Sequence, residues 1–434
     1  MKEETVVIEK IIFGGDGLSR LSNGKVVFVP FVCPDEKVKI ALLEEFPDYA
    51  LGFPLEILEA SPWRREAPCP YYTLCGGCQF QHLDYQAELE IKKAILEELF
   101  KRQGYKEPLP WGEIIPSPKI YGYRHKLRLH VESHPFKMGF VKRKTHEVLR
   151  IEQCLLGDSL LNEVLRELYG HEGWREIAFH AKRLRLEKSL LDERVTLLFW
   201  SILHPREELL QDLLSINSVK SIFYYIRGAR AFGPYPANAP FGGRKLMPAL
   251  LGLTYYIQPG VFTQTNWEIN TLIMERLVNY AQRAERVLDL HSGMGNFLLP
   301  LVKALKSAKE FLGVDTDMSS IEDAFYTAEK NGLNGRLDFR RMSALEALHQ
   351  SVKEGKKYDL ILLDPPRGGC KELVRLITEV AEDRIIYISC DPPTLVRDIL
   401  LFEKAGFALR EVSIFDMFPR TYHFEVLALL QKKA

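Results

Sequence analysis

The N-terminal part of the chain alternates apolar and polar residues in short runs. Residues 6–8, 25–29 and 37–40 fit strands, and glycine-rich turns at 14–17 and 22–24 separate them. Short strands at such spacing predict a small β-barrel over residues 1–58. The barrel is either a structural appendage or an RNA-binding module, and the pattern is typical of both.

A mixed pattern follows. Prolines near residue 62 mark a boundary, and apolar residues at helical spacing predict a helix over 83–103 that ends at Gly104. Basic strands come next, so residues 59–255 form a predicted central domain. Asn266 is the predicted N-cap of a helix that begins at residue 267.

Strands and helices alternate in the last part of the chain. Apolar runs predict strands at 287–290, 311–314, 360–363, 385–388 and 424–429. Strands that alternate with helical patterns indicate a parallel sheet with helices on both faces. The sequence therefore predicts an α/β fold for the domain at 256–434.

Charge is balanced over the chain but uneven along it. Lys and Arg number 58, as do Asp and Glu, so the total gives no argument for a nucleic-acid partner. Between residues 119 and 150, however, the chain has nine Lys or Arg and only two Glu. With Tyr121, Tyr123, His125 and Phe136, this segment is a candidate for RNA backbone contact and base stacking, or a solvated strand face.

The cysteine count and the N-terminus bear on location. Seven cysteines are an odd number for a disulfide framework, and no apolar leader or membrane span is evident. We therefore expect a cytosolic protein with reduced thiols.

Three side chains with catalytic potential lie at predicted strand positions. Cys390 and Asp364 each follow an apolar strand, and Glu425 lies in the last strand. Because open α/β sheets bind ligands at the carboxyl ends of their strands, Cys390 is a candidate nucleophile, Asp364 a positioning group and Glu425 a base. Alternation along the strand predicts that His423 shares the face of Glu425. The alternatives are an inert buried thiol for Cys390, a turn cap for Asp364 and a surface carboxylate for Glu425.

A glycine turn follows the strand at 287–290. Gly293 and Gly295 let the backbone approach a ligand, and Asp315 at the end of the next strand suits a carboxylate that accepts both ribose hydroxyls. The third glycine of the dinucleotide fingerprint is missing, which favours S-adenosylmethionine over NAD. A purely structural turn is the alternative.

Four cysteines form a separate set. Cys69, Cys75 and Cys78 lie close together, and Cys154 follows at a distance. Four thiolates fit tetrahedral zinc or a [4Fe–4S] cluster. The arrangement of three plus one favours the iron–sulfur cluster in a structural role; unligated buried thiols are a third possibility.

Five separated motifs resemble those of the RNA (uracil-5-)methyltransferase family. They are residues 262–266, 289–297, 364–367, 389–392 and 416–425. The resemblance covers nearly the whole chain and is strongest to the branch that acts on 23S rRNA. That branch combines an N-terminal TRAM barrel, a central [4Fe–4S] domain and a Rossmann-like, S-adenosylmethionine-dependent methyltransferase domain, with the helix after the cysteine loop packed on the catalytic domain.

The resemblance implies roles for individual residues. Cys390 would add to uracil C6, Glu425 would remove the C5 proton, and Asp364 would contact the uracil ring. His291 replaces an aromatic residue of the family, Asp315 a glutamate and Ser343 an asparagine. The candidates for contact with the cofactor are Gln264, His291, Gly293, Gly295, Asn296, Asp315, Ser343 and Asp364.

The implied function is the formation of 5-methyluridine in RNA by a monomeric enzyme, with 23S rRNA ahead of tRNA. The alternatives are a tRNA uridine-5 methyltransferase, an RNA cytosine-5 methyltransferase and a non-catalytic RNA-binding protein. The cytosine enzymes usually carry a second cysteine directly after their Asp-x-Pro motif, where this chain has Arg367.

Overall fold

The computed structural model describes residues 2–226, 231–333 and 335–433. The chain divides into two compact units. The first comprises Met1–Lys106, Phe140–Leu149 and Phe418–Phe424, and the second comprises Glu107–Gly139, Arg150–Met417 and Glu425–Ala434. The division into domains at 1–58, 59–255 and 256–434 stays a prediction. None of the helices in the described ranges is both long and apolar enough to cross a membrane.

The first unit contains a six-stranded sheet in the order β1-β5-β6-β4-β3-β2. All neighbouring strands are antiparallel except β4 and β6. The predicted strands are confirmed, whereas closure into a TRAM barrel stays a prediction. The strands are β1 Glu3–Val7, β2 Lys10–Ile11, β3 Gly17–Arg20, β4 Val26–Val29, β5 Lys37–Glu45 and β6 Tyr49–Glu59.

Helix α1, Tyr85–Arg102, also belongs to the first unit. Its N-cap is Asp84, whose carboxylate accepts a hydrogen bond from the Gln86 backbone N–H at 2.9 Å. The predicted helix over 83–103 is therefore confirmed, and it starts two residues later than predicted because Asp84 caps it.

The second unit contains the remaining helices and most of the remaining strands; β9 and β10 extend into the segment 140–149 of the first unit. The strands are β7 Trp111–Ile115, β8 Lys126–Ser133, β9 Phe136–Val141, β10 Val148–Arg150, β11 Ala181–Ser189, β12 Arg194–Ser201, β13 Val219–Ile226, β14 Phe232–Tyr235, β15 Lys245–Pro248, β16 Thr254–Ile257, β17 Arg286–Asp289, β18 Glu310–Asp315, β19 Leu337–Arg341, β20 Tyr358–Leu363, β21 Ala381–Ser389, β22 Phe407–Phe415 and β23 Glu425–Lys432. The helices are α2 Ser159–Gly170, α3 Glu172–Ala178, α4 Glu207–Leu213, α5 Trp267–Tyr280, α6 Leu298–Ala304, α7 Met318–Lys330, α8 Ala344–Lys353, α9 Val374–Val380 and α10 Pro392–Lys404.

A seven-stranded mixed sheet holds the basic strands in the order β10-β9-β8-β11-β12-β13-β14. Strands β8 and β11 pair antiparallel, and β12 pairs with β13 in parallel. Helix α5 begins at Trp267 with Asn266 as its N-cap, as predicted.

An eight-stranded sheet has the order β19-β18-β17-β20-β21-β23-β22-β7. Strands β17 to β21 run parallel, and β23 is antiparallel to β21. Residues 385–388 of β21 are at most 1% exposed, as expected for a strand covered on both faces. Because β18 and β20 flank β17 on opposite sides, the strand order reverses at β17, where doubly wound sheets form a ligand crevice.

Candidate active site

The edge of the eight-stranded sheet carries one reactive side chain on each of five adjacent strands. Asp315 and Asp289 end β18 and β17, Asp364 follows β20, Cys390 follows β21 and Glu425 begins β23. Register brings the last two together, since Ser389 pairs with Val426 across β21 and β23. The predicted residues thus lie at strand ends, and their roles in a site stay a prediction.

Cys390 lies between a buried strand and a helix. The Asp391 side chain caps α10 by accepting the Thr394 backbone N–H at 3.1 Å, and Ser389 Oγ accepts the Asp391 backbone N–H at 3.1 Å. These bonds fix the backbone on the C-terminal side of the cysteine, which is partly buried. The thiol is thus held at the sheet edge rather than in the core.

Burial and negative neighbours shape the charges of the site. Burial raises the pKa of Asp364 to about 7, and burial together with Asp364 raises the pKa of Glu425 well above its usual range. Burial, Glu425 and Asp364 raise the pKa of Cys390 to about 12, while Arg367 acts in the opposite direction. Without a substrate, the site therefore favours the protonated forms of the Cys390 thiol and of the Asp364 and Glu425 carboxyl groups.

The start of β23 corrects the prediction for His423. The strand begins at Glu425, so strand alternation does not extend back to His423. His423 instead contacts the rings of Tyr422 at 4.0 Å and Phe418 at 5.9 Å. Glu425 itself is 3% exposed, and its Oε2 atom has no hydrogen-bond partner among the described residues.

Asp398 holds the loop that follows Asp364, a role that the sequence did not indicate. Its Oδ2 atom accepts the Cys370 backbone N–H at 2.7 Å and the Tyr387 hydroxyl at 2.9 Å. Arg397 donates to the Gly368 carbonyl at 2.9 Å. Helix α10 thereby ties the loop to β21, the strand that carries the cysteine.

The glycine turn lies at the carboxyl end of β17. Gly293 and Gly295 have φ of +52° and +77°, and a Cβ atom on Gly295 would lie 2.9 Å from Leu299 Cγ. The Gly293 backbone N–H donates to Asp315 Oδ2 at 2.9 Å. The turn and the end of β18 thus form one surface, as the spacing predicts.

Buried polar atoms beside this turn lack partners among the described residues. They are Asp289 Oδ2, His291 Nδ1 and Ser292 Oγ. Burial lowers the pKa of His291 to about 4, so its imidazole is neutral near pH 7. Buried polar groups without partners are costly, which makes them candidates for contacts with a polar ligand.

Asn296 and Ser343 make contacts that the sequence did not predict. The Asn296 and Asn270 amides exchange two hydrogen bonds of 2.9 Å, which fasten the turn to α5. The Ser343 hydroxyl serves a capping box with Glu346 at the start of α8. Both residues thus support the backbone around the crevice, and their contact with a cofactor stays a prediction.

Gln264 lies in a segment that basic residues hold in place. Lys126 donates to the carbonyl oxygen and hydroxyl of Thr263, and His125 Nε2 lies 3.1 Å from the same hydroxyl. Gln264 is buried. His125 and Tyr123 are buried too, so their prediction as RNA-stacking residues is wrong; Tyr121 and Phe136 remain partly exposed.

The two strands β8 and β11 present like charges side by side. Arg128 lies opposite Arg185, and His130 lies opposite Arg183. Arg185 bonds to Glu187 at 2.8 Å, but Arg128 and Arg183 are exposed and have no carboxylate partner in the described part of the chain. Burial, and after it the neighbouring arginines, lowers the pKa of Arg128 and of His130. This surface would gain stability from a bound anion.

The four cysteines of the predicted ligand set are distributed over both units. Cys69, Cys75 and Cys78 belong to the first unit and Cys154 to the second. Over the described ranges, no three His, Cys, Asp or Glu side chains gather in a way that could hold a metal ion. The donor set has the chemistry of an iron–sulfur or zinc ligand set, but the three cysteines of the first unit are not gathered as either site requires.

Replacement of Asp289 by asparagine is expected to stabilise the protein in alkaline solution. Burial, Asp364 and Asp315 raise the pKa of Asp289 to about 8, above its value in the unfolded chain. Ionisation therefore destabilises the fold increasingly from about pH 4 upward and fully above about pH 8. Thermal unfolding should give a Tm gain for Asp289→Asn of about 2 °C or more at pH 8.5 and a smaller gain at pH 5. A gain that is larger at pH 5 would contradict this electrostatic account.

Comparison with known proteins places these features in a family. The family model described as tRNA (Uracil-5-)-methyltransferase matches residues 247–433. An uncharacterized RNA methyltransferase of Aquifex aeolicus is 34% identical over 99% of this chain and 98% of its own. The 23S rRNA (uracil(1939)-C(5))-methyltransferase RlmD of Aromatoleum aromaticum is 30% identical over 98% of this chain and 99% of its own.

A solved structure shares the fold. The tRNA (uracil-54, C5)-methyltransferase of Pyrococcus abyssi, crystallised with S-adenosyl-L-homocysteine, has a TM-score of 0.74 and 24% identity. The match covers 98% of this chain and 100% of the other. The similarity extends over both units and is a similarity of fold.

Proposed function

The chain belongs to the RNA (uracil-5-)methyltransferase family of S-adenosylmethionine-dependent enzymes, and we propose that it methylates C5 of a uridine in 23S rRNA through a covalent adduct with Cys390. The observation that carries the proposal is the register of β20, β21 and β23, which sets Asp364, Cys390 and Glu425 side by side. A nucleophile, a positioning carboxylate and a base then share one crevice.

The reaction needs each of these groups. Uracil C5 is a weak nucleophile, and S-adenosylmethionine supplies an electrophilic methyl group. The Cys390 thiolate adds to C6 with formation of a C6–S bond, and the resulting enolate gives C5 the electrons to take the methyl group, whose bond to the sulfonium sulfur breaks so that S-adenosylhomocysteine leaves. Glu425 then removes the C5 proton. The electrons of the C5–H bond form the C5–C6 double bond as the C6–S bond breaks and the thiolate leaves.

The electrostatics of the site match these steps. Since burial raises the pKa of Glu425, its ionised form is a strong base towards the C5 proton. Arg367 lowers the pKa of Cys390 against the effect of the carboxylates and so favours the thiolate. Asp364 accepts the N3–H of the uracil ring and orients it.

The cofactor is proposed to lie over the glycine turn. The Asp315 carboxylate, at the end of β18, accepts hydrogen bonds from the ribose hydroxyls. Polar contacts come from the buried atoms of Asp289, His291 and Ser292 that lack partners among the described residues. Gln264 approaches from the segment before α5. Asn296 and Ser343 support the backbone around the crevice, and their contact with the cofactor is a further part of the proposal.

RNA is proposed to lie along the basic surface of β8 and β11. The double replacement Arg128→Ala and Arg183→Ala should weaken RNA binding at low salt and reduce the slope of log K against log salt by about 0.7 to 1 per arginine that contacts a phosphate. Fluorescence anisotropy with an rRNA fragment measures both. Lys309→Ala removes an exposed charge of the same unit as a matched control. An unchanged slope in the double variant would remove this surface from the account.

The finer assignments are separate parts of the proposal. The sequence similarity to RlmD supports 23S rRNA over tRNA, and mapping of 5-methyluridine in both RNAs from a strain that lacks the gene tests that choice. The TRAM barrel, the monomeric state and the cytosolic location stay predictions. The [4Fe–4S] cluster also stays a prediction that rests on the spacing of the four cysteines in the sequence, and iron and sulfide content after anaerobic purification tests it.

A further inference from the structure

Arg420, a residue outside the catalytic set, is hydrogen-bonded to several residues of the first unit. It lies in the segment 418–424 of the first unit, five positions before Glu425 in the chain. Its backbone N–H donates to Glu88 Oε1 at 2.8 Å, and its carbonyl oxygen accepts the backbone N–H groups of Gln79 at 3.1 Å and Phe80 at 3.0 Å. The backbone of Arg420 is therefore hydrogen-bonded to three other residues of the first unit.

The Arg420 side chain adds to this anchorage. Its Nη1 atom donates to the Leu83 carbonyl at 2.8 Å and lies 3.4 Å from Glu88 Oε2. The guanidinium also lies 5.4 Å from the ring centre of Tyr85. The residue is 6% exposed, so these contacts are made away from water, where charged bonds are strong.

Helix α1 supplies the other half of the anchorage. Glu88 and Lys92 form an ion pair of 2.7 Å with both side chains fully buried. Lys92 Nζ is also 3.4 Å from the Phe418 carbonyl oxygen, at the start of the same segment. Removal of Glu88, Lys92 or Arg420 would leave a buried charge without its partner, so these three residues depend on one another.

The backbone conformation at Arg420 is unfavourable for an arginine and depends on these contacts. Its φ is +68°, in a turn closed by the Thr421 backbone N–H on the Phe418 carbonyl at 3.2 Å. Glycine or asparagine adopts this position easily, and arginine does not. The contacts of the side chain and of both backbone groups hold the turn in this form.

We propose that Arg420 is a positioning residue that holds the segment leading into Glu425 and thereby sets the rate at which the C5 proton is removed. The inference rests on the proposed role of Glu425 as base. The held turn ends at Thr421, and β23 begins at Glu425, so little free chain separates them. Since a small displacement of a catalytic group slows its step strongly, release of the turn should act on proton removal and spare the addition of Cys390.

Single-turnover reactions of the full-length protein with RNA that carries 5-deuterated or ordinary uridine test this inference. In Arg420→Ala we expect the covalent protein–RNA complex to form at the normal rate and to break down about tenfold more slowly, with a larger deuterium isotope effect. In Glu88→Gln the complex should also break down more slowly and show a larger deuterium isotope effect. Arg420→Lys, which keeps the charge, should restore part of the rate.

Controls separate the possible failures. Arg20→Ala removes an exposed arginine of the first unit and should leave both quantities unchanged. A normal breakdown rate and isotope effect in Arg420→Ala, or in Glu88→Gln if the first variant does not fold, would overturn the inference. If Glu425→Gln fails to accumulate the complex, the proposed base is wrong instead.

Discussion

Replacement of Cys390 by alanine is expected to abolish methyl transfer, with a loss of about four orders of magnitude or more. Without the thiol no adduct forms at C6, and C5 stays too weak a nucleophile to take the methyl group. Transfer of labelled methyl groups to RNA measures the loss. Binding of the cofactor and of RNA should remain, because neither requires the thiol.

A second cysteine provides the matched control. Cys33 is fully buried in the first unit, where burial raises its pKa to about 12. It resembles Cys390 in acidity but belongs to the first unit, whereas Cys390 belongs to the second, so Cys33→Ala should retain activity in folded protein. Normal methyl transfer by Cys390→Ala would rule out covalent catalysis by this residue.

Replacement of Glu425 by glutamine is expected to trap the covalent complex. The adduct forms and takes the methyl group, but the C5 proton stays, so release of the thiolate slows by about 10² to 10⁴-fold. A complex that survives denaturing electrophoresis measures the trapped fraction. In the unsubstituted protein, release should quicken as pH rises, because the raised pKa of Glu425 keeps its base form scarce at low pH.

The control for this variant is a carboxylate at the other end of a neighbouring strand. Glu382 lies near the start of β21 and is exposed, so Glu382→Gln makes the same chemical change away from Cys390. It should release product normally. If Glu425→Gln also turns over normally, another group must remove the proton.

The catalytic strands could be predicted because their sequences leave little choice. The runs before Asp364 and Cys390 are continuous and apolar, as parallel strands buried on both faces require. The polar residue after each run then marks the sheet edge. The pairing of β23 beside β21 is a tertiary contact, which the pattern of residues along the chain does not predict.

Individual side chains were harder to place because a residue type does not reveal its partner. Asn296 pairs with Asn270 at a separation of 26 positions, and the Ser343 hydroxyl serves a local helix cap. The basic strand suggested exposure for His125, yet that side chain is buried. Alternation gives the face of a strand, but which face the protein covers depends on the elements packed against it.

The supporting residues were missed for the same reason. Asp398 reaches Cys370 over 28 positions, and Arg420 reaches Glu88 over 332. In the sequence Asp398 is one more charged residue of an amphipathic helix, and Arg420 follows a proline in a turn. Their importance lies in the number of contacts that meet at each, which only the folded chain reveals.

The central claim is that this protein makes 5-methyluridine in RNA with Cys390 as nucleophile. The most direct test is to incubate the purified protein with S-adenosylmethionine and unmodified 23S rRNA, digest the RNA and identify the methylated nucleoside by mass spectrometry. The account predicts 5-methyluridine with the unsubstituted protein and none with Cys390→Ala. Methylated cytidine, or equal 5-methyluridine from both proteins, would contradict it.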